Sequence, residues 1–128
     1  MTQRVAVKLT GNFERNLRDI EQFVADADQT NAFDVLLMEL AETVIPNLER
    51  FPKIGSSLFN RPIRSIEVAS ASERVLHQLK ALDPQGELRE YVMTNYLVLY
   101  TQLRDVIYLL SIRHHRQISF DFEGLWRA

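Results

Sequence analysis

The 128-residue chain has no cysteine, so neither a disulfide framework nor thiolate chemistry is available to it. That lack fits a reducing compartment, and the chain reads as cytoplasmic. No apolar run reaches the roughly 18 residues that a membrane span needs, and no apolar stretch follows a basic start, which argues against a signal peptide. Glycine and proline number four each, and no repeat or low-complexity segment appears. A glycine-rich phosphate loop, a nucleophile elbow and a zinc-protease helix pattern are all missing. Nothing in the sequence asks for a cofactor.

What is present is globular. Hydrophobic residues make up 46% and charged residues 25%, a balance that fits one domain over 1–128. The formal net charge of −2 argues against wholesale electrostatic binding to nucleic acid. The charge is unevenly placed: residues 1–50 hold 5 Lys/Arg and 9 Asp/Glu, residues 51–128 hold 10 and 8 with all three histidines. A local basic site in the second half is compatible with a mildly acidic average.

Alternation in residues 4–9 predicts a half-buried strand, with Val5, Val7 and Leu9 on one face. Gly11-Asn12 ends it, and Asn12 is a candidate helix cap. Phe13, Leu17, Ile20, Val24 and Ala27 recur at helical spacing, so an amphipathic helix runs to about Asp28. Gln29-Thr30-Asn31 is a polar break and a second cap. A longer helix follows on Phe33, Leu36, Leu37, Leu40, Ala41, Val44 and Leu48, with Pro46 predicting a kink near Val44–Ile45. It stops by Phe51-Pro52. The two helices form an antiparallel hairpin laid across a sheet.

Gly55-Ser56-Ser57 and Asn60-Arg61-Pro62 read as loop, Ser70 to Glu73 as a capping box, and Glu73–Leu82 as a short helix. Asp83-Pro84-Gln85-Gly86 is a turn. Three strands follow, about Leu88–Thr94, Tyr96–Gln102 and Val106–Arg113. The last two are apolar on both faces, which marks central strands. The tail, Ile118 to Trp126, alternates and reads as a further short strand. The class is α+β: an N-terminal strand, a helical hairpin, then a three-stranded antiparallel meander in one sheet with helices on one face. The other face needs cover from the tail, a second copy or a partner.

Candidate chemistry concentrates where the last strand ends, at Arg113-His114-His115-Arg116. An imidazole moves protons near neutral pH, and a guanidinium grips phosphate. Together these groups could serve RNA cleavage, with His114, His115 and Arg116 as the catalytic candidates, and all four residues could instead hold an acidic partner surface. Structural pairing of Arg113 with Glu90 or Asp105 is the bland reading. Lys53 at the helix exit and Arg104 in a hairpin turn are further target-binding candidates. Arg61, Arg64 and Arg89 are secondary, and His77 reads as a boundary residue. Tyr91, Tyr96, Tyr100 and Tyr108 offer stacking faces but more commonly pack in a sheet. Adjacent histidines point to opposite sides of a strand, so no metal site is expected.

Glu42–Gly55 (ETVIPNLERFPKIG) resembles the helix exit of ParE-like proteins. LREYVMTNYLVLY followed by VIYLLSIRHHRQ resembles their strand meander, which ends in Ile-Arg-His-x-Arg. With the element order, these segments are similar to the RelE/ParE superfamily of bacterial type II toxins, over most of the chain except about 56–86 and the tail. Residues 56–86 then read as an insert. The resemblance implies a toxin held by a cognate antitoxin and directed at DNA gyrase, or alternatively a RelE-like nuclease that cuts mRNA on the ribosome. A repurposed member that only binds a partner is a third reading. Homodimerisation competes with antitoxin binding for the same apolar surface. Thr101 follows Tyr100 where relatives often carry arginine, and the acidic balance favours the gyrase mode over RNA cleavage.

Overall fold

The computed structural model describes residues 5–57, 74, 77–78, 80–83 and 86–115. Strand β1 (Ala6–Leu9) leads into helix α1 (Gly11–Asp26). Helix α2 (Thr30–Glu39), a π-helical turn (Leu40–Val44) and helix α3 (Ile45–Arg50) follow without a break. Strands β2 (Ser56–Ser57), β3 (Leu88–Val92), β4 (Tyr96–Leu103) and β5 (Val106–His114) complete the set. They form one five-stranded sheet in the order β1-β5-β4-β3-β2.

The meander lies where the hydrophobic pattern places it. β3–β4 and β4–β5 are antiparallel, and β4 and β5 are buried on both faces as central strands require. β1 joins β5 in parallel, with Ala6 opposite Val106 and Leu9 opposite Leu109, so the sheet is mixed and not purely antiparallel. The α1–α2–α3 excursion between β1 and the meander is the long crossover that a parallel pair requires.

Helix faces follow the apolar stripes. Phe13 and Val24 of α1 and Leu36, Leu40, Val44 and Leu48 of the second helical run are buried. Except for Val24, they cluster with Val98, Tyr100, Ile107, Leu109 and Ile112 of the sheet. Such burial is worth about 1.5–3 kcal/mol per large side chain, which makes this layer the main source of stability. The opposite face, with Leu88, Leu97, Leu99 and Leu110, is also buried within the single chain.

Two local expectations change, and the irregularity expected at Pro46 takes a definite form. The cap of α1 is Thr10, whose hydroxyl accepts the Phe13 N–H, because Asn12 is drawn inward to bond β5 instead. Gln29, without a side-chain bond, precedes α2; Asp28, at φ 56°, makes the reversal. Pro46 lacks an N–H, and the π-helical turn just before it absorbs the mismatch by bonding Ile45 N–H to Leu40 C=O.

Ser56–Ser57, read as loop, pairs with Arg89–Glu90 at the sheet edge. Remote side chains pin it there. The Tyr100 hydroxyl donates to Pro52 C=O (3.0 Å) and accepts the Gly55 N–H (2.9 Å), and the Arg89 guanidinium donates to the Gly55 carbonyl. Arg74, His77, Gln78 and Lys80 to Leu82 are helical, and Gly86 N–H closes the turn on Asp83 C=O. The capping box at 70–73, Arg61, Arg64, Arg116 and the tail with Trp126 lie outside the described residues. No helix among the described residues is long and apolar enough to cross a membrane.

Candidate functional site

β5 and β3–β4 together build the tip that carries the histidines. β5 ends at His114, paired with Tyr96 at the start of β4. The two rings meet edge-on with centroids 5.3 Å apart. His115 turns out of the strand: its backbone N–H donates to Asn95 C=O, and its Nε2 lies 3.3 Å from Met93 C=O. The imidazoles of His114 and His115 are 6.5 Å apart, centroid to centroid. His114 is half-buried and His115 exposed. The β3–β4 turn beneath them is held by Glu39 of α2, whose Oε2 accepts the Thr94 N–H at 2.9 Å.

Arg113 is not part of an open cationic tip. It is only 6% exposed and sits on the sheet face away from the helices, opposite Leu97. Glu90 is buried on that same face, and both residues are engaged by partners. Burying an ion without compensation is prohibitively costly, so engagement is the expected state.

Lys53 and Arg104 lie at the other end of the sheet. β4 runs between the two ends, and from Tyr96 to Leu103 a strand covers about 23 Å. Lys53 follows α3, and Arg104 occupies the β4–β5 turn with a left-handed φ of 58°. They border a hollow of about 440 Å³ with Arg89, Gln102, Asp83 and Glu87. Arg89 is held by Glu87, Nη2 to Oε1 at 2.8 Å, and Asp83 Oδ2 accepts the Arg104 backbone N–H. The six candidates therefore divide: Arg113, His114 and His115 at one end, Lys53 and Arg104 at the other, and Arg116 outside the described residues.

The tyrosines are structural in the main. Tyr100 is fully buried, and burial pushes its phenol above the ordinary 10.0, although the hydrogen bond from the Gly55 N–H pulls the other way. Tyr91 takes the Asn47 amide on its hydroxyl. Thr101 is buried and donates to Glu87 C=O at 2.8 Å. Among the described residues no group of three or more His, Asp or Glu could hold a metal ion.

Sequence reasoning missed the polar latch of α1 on β5. The β4–β5 register slips between Leu99 and Tyr100, leaving a bulge at Leu110. Thr10, Asn12 and Asn16 satisfy the groups this exposes: Asn12 Nδ2 donates to Leu110 C=O, and Asn16 Oδ1 accepts Ile112 N–H and Ser111 Oγ–H. The only signal was two asparagines one helical turn apart, next to the apolar stripe.

The family comparison fits this architecture. The model for the ParE toxin of type II toxin–antitoxin systems matches residues 7–119. The chain belongs to the ParE toxin family. No curated protein matches it significantly. As a ParE-family toxin it has an antitoxin for a partner, and the match takes in the parallel β1, the helical hairpin and the whole meander.

Proposed function

We propose that this ParE-family chain arrests growth by binding DNA gyrase, and that it does so without catalysis. The observation that carries this reading is the division of the candidate residues. Ribonucleolysis needs a base, an acid and phosphate-gripping cations converging within a few ångströms of one phosphate. Here Lys53 and Arg104 stand a strand length away from the imidazoles, and Arg113 is buried. Inhibition by binding asks only for a surface.

One observation favours the RelE-like alternative. His114 and His115, with centroids 6.5 Å apart, are near enough to flank a phosphate. Against it, His114 is half-buried and packs on Tyr96, and Nε2 of the exposed His115 lies 3.3 Å from the Met93 carbonyl.

Induced expression separates the readings. The proposal expects DNA damage and growth arrest that a resistant gyrase abolishes, with ribosome-bound mRNA left whole. Ribosome-dependent mRNA cutting that persists with the resistant gyrase contradicts it. Absence of any arrest supports the partner-binding alternative.

A further inference from the structure

The exit of α3 leaves two large apolar side chains in solvent, Phe51 at 59% exposure and Ile54 at 49%. With Arg50, Pro52, Lys53 and Gln102 they line an open hollow of about 680 Å³, which adjoins the one bordered by Arg104. Apolar groups this exposed, side by side in a concavity, mark an interaction surface.

The charged residues lining that floor, Arg50 and Lys53, are both cations, and the adjoining hollow adds Arg89 and Arg104 against Asp83 and Glu87. Arg50, Lys53 and Arg104 are exposed. Glu87 is already neutralised by Arg89, and Asp83 takes the Arg104 backbone N–H. Arg104 also holds φ 58°, a backbone conformation that glycine or asparagine adopts more readily, and its side chain is a third cation beside the hollow.

Most of the hairpin is the reverse. Residues 19–49 contain eight Asp/Glu and not one Lys or Arg. An acidic segment is repelled along that stretch and attracted at its two ends, at Arg18 and at Arg50, and only the Arg50 end adjoins the apolar floor.

We infer that the antitoxin docks on this hollow through an acidic segment whose apolar side chain packs on Phe51 and Ile54. The inference rests on membership of the toxin–antitoxin family and not on the choice of gyrase as target. The apolar floor supplies the affinity, and the cations set the register and speed the encounter.

The test uses the purified chain and the antitoxin encoded beside it. Phe51→Ser and Ile54→Ser are expected to raise the dissociation constant at least about tenfold. Lys53→Glu with Arg104→Asn is expected to raise it at low salt and to flatten its salt dependence. All four sites are exposed, so the thermal unfolding midpoint should hold and serves as the fold control. A photo-crosslinker at Ile54 should capture an antitoxin peptide with Asp or Glu flanking a leucine or aromatic residue. Unchanged antitoxin affinity in every variant overturns the inference, whatever happens to gyrase inhibition. So does loss of gyrase inhibition, nucleic-acid binding or self-association alone, each of which assigns the hollow to a different occupant. Because affinity for the antitoxin is read directly, a chain that proves inactive on gyrase leaves this test intact.

Discussion

Asn16 of α1 accepts the backbone N–H of Ile112 in β5 at 3.1 Å, across 96 residues of sequence. β1 stops pairing at Leu109, and from there the side chains of α1 take over as the hydrogen-bond partners of β5. The joint matters because it fixes the strand that leads to the histidine tip.

Replacing Asn16 by leucine leaves the Ile112 N–H and the Ser111 hydroxyl without their acceptor. Denaturant unfolding should show a loss of about 1–3 kcal/mol. Asn16→Asp keeps the acceptor and should cost distinctly less. Equal losses in the two variants would mean that packing, not the hydrogen bond, holds the joint.

Gly55 has no room for a side chain. A β-carbon there would lie 2.5 Å from the Glu90 carbonyl oxygen and 2.7 Å from the Tyr100 hydroxyl. Gly55→Ala should therefore push β2 off β3 and destabilise the fold by about 1–3 kcal/mol. Faster amide exchange in β3 would locate the damage, and a neutral effect on stability would count against the close approach.

Tyr100 gives a pH dependence whose sign is fixed. Its folded-state pKa lies above the ordinary 10.0, chiefly through burial, so the native state holds the phenolic proton more tightly than the unfolded chain does. The stabilisation is complete below about pH 10 and is lost as the pH rises through the folded-state value. Tyr100→Phe should lower stability at neutral pH, since Gly55 N–H and Pro52 C=O lose their partner, and should shallow the alkaline decline. An unchanged alkaline slope would show that another group dominates it.

Much of this fold was legible because it depends on local periodicity. The stripe Phe13–Leu17–Ile20–Val24 and the doubly apolar β4 and β5 follow from which positions must leave water. What was not legible depends on contacts between distant residues. Ser56–Ser57 becomes a strand only because Tyr100 and Arg89 tie down the preceding turn. Asn12 fails as a cap because Leu110 C=O is a nearer need. The same limit holds for the site. Strand alternation already sets Arg113 and His114 on opposite faces; what it does not show is that the face of Arg113 is buried while His114 meets Tyr96 on the helix face. Lys53 and Arg104 could be recognised as basic but not as neighbours, since their meeting is made by tertiary packing of the α3 exit on the β4–β5 turn.

If binding is the activity, the imidazoles are dispensable as proton carriers. His114→Phe preserves an aromatic ring against Tyr96, and His115→Gln preserves a polar group near Met93 C=O. Growth arrest should persist in both variants. Loss of arrest in either, with both the unfolding midpoint and the affinity for gyrase unchanged, would point to proton transfer at the tip and favour the ribonuclease reading.

Gyrase inhibition by occupancy is the activity proposed for this ParE-family chain. Titrating the purified chain into a gyrase supercoiling reaction tests that most directly. Dose-dependent loss of supercoiling, relieved by the antitoxin and retained by the His114→Phe/His115→Gln double variant, is the predicted result; full supercoiling at every dose, with the same preparation cutting mRNA on ribosomes, would contradict it.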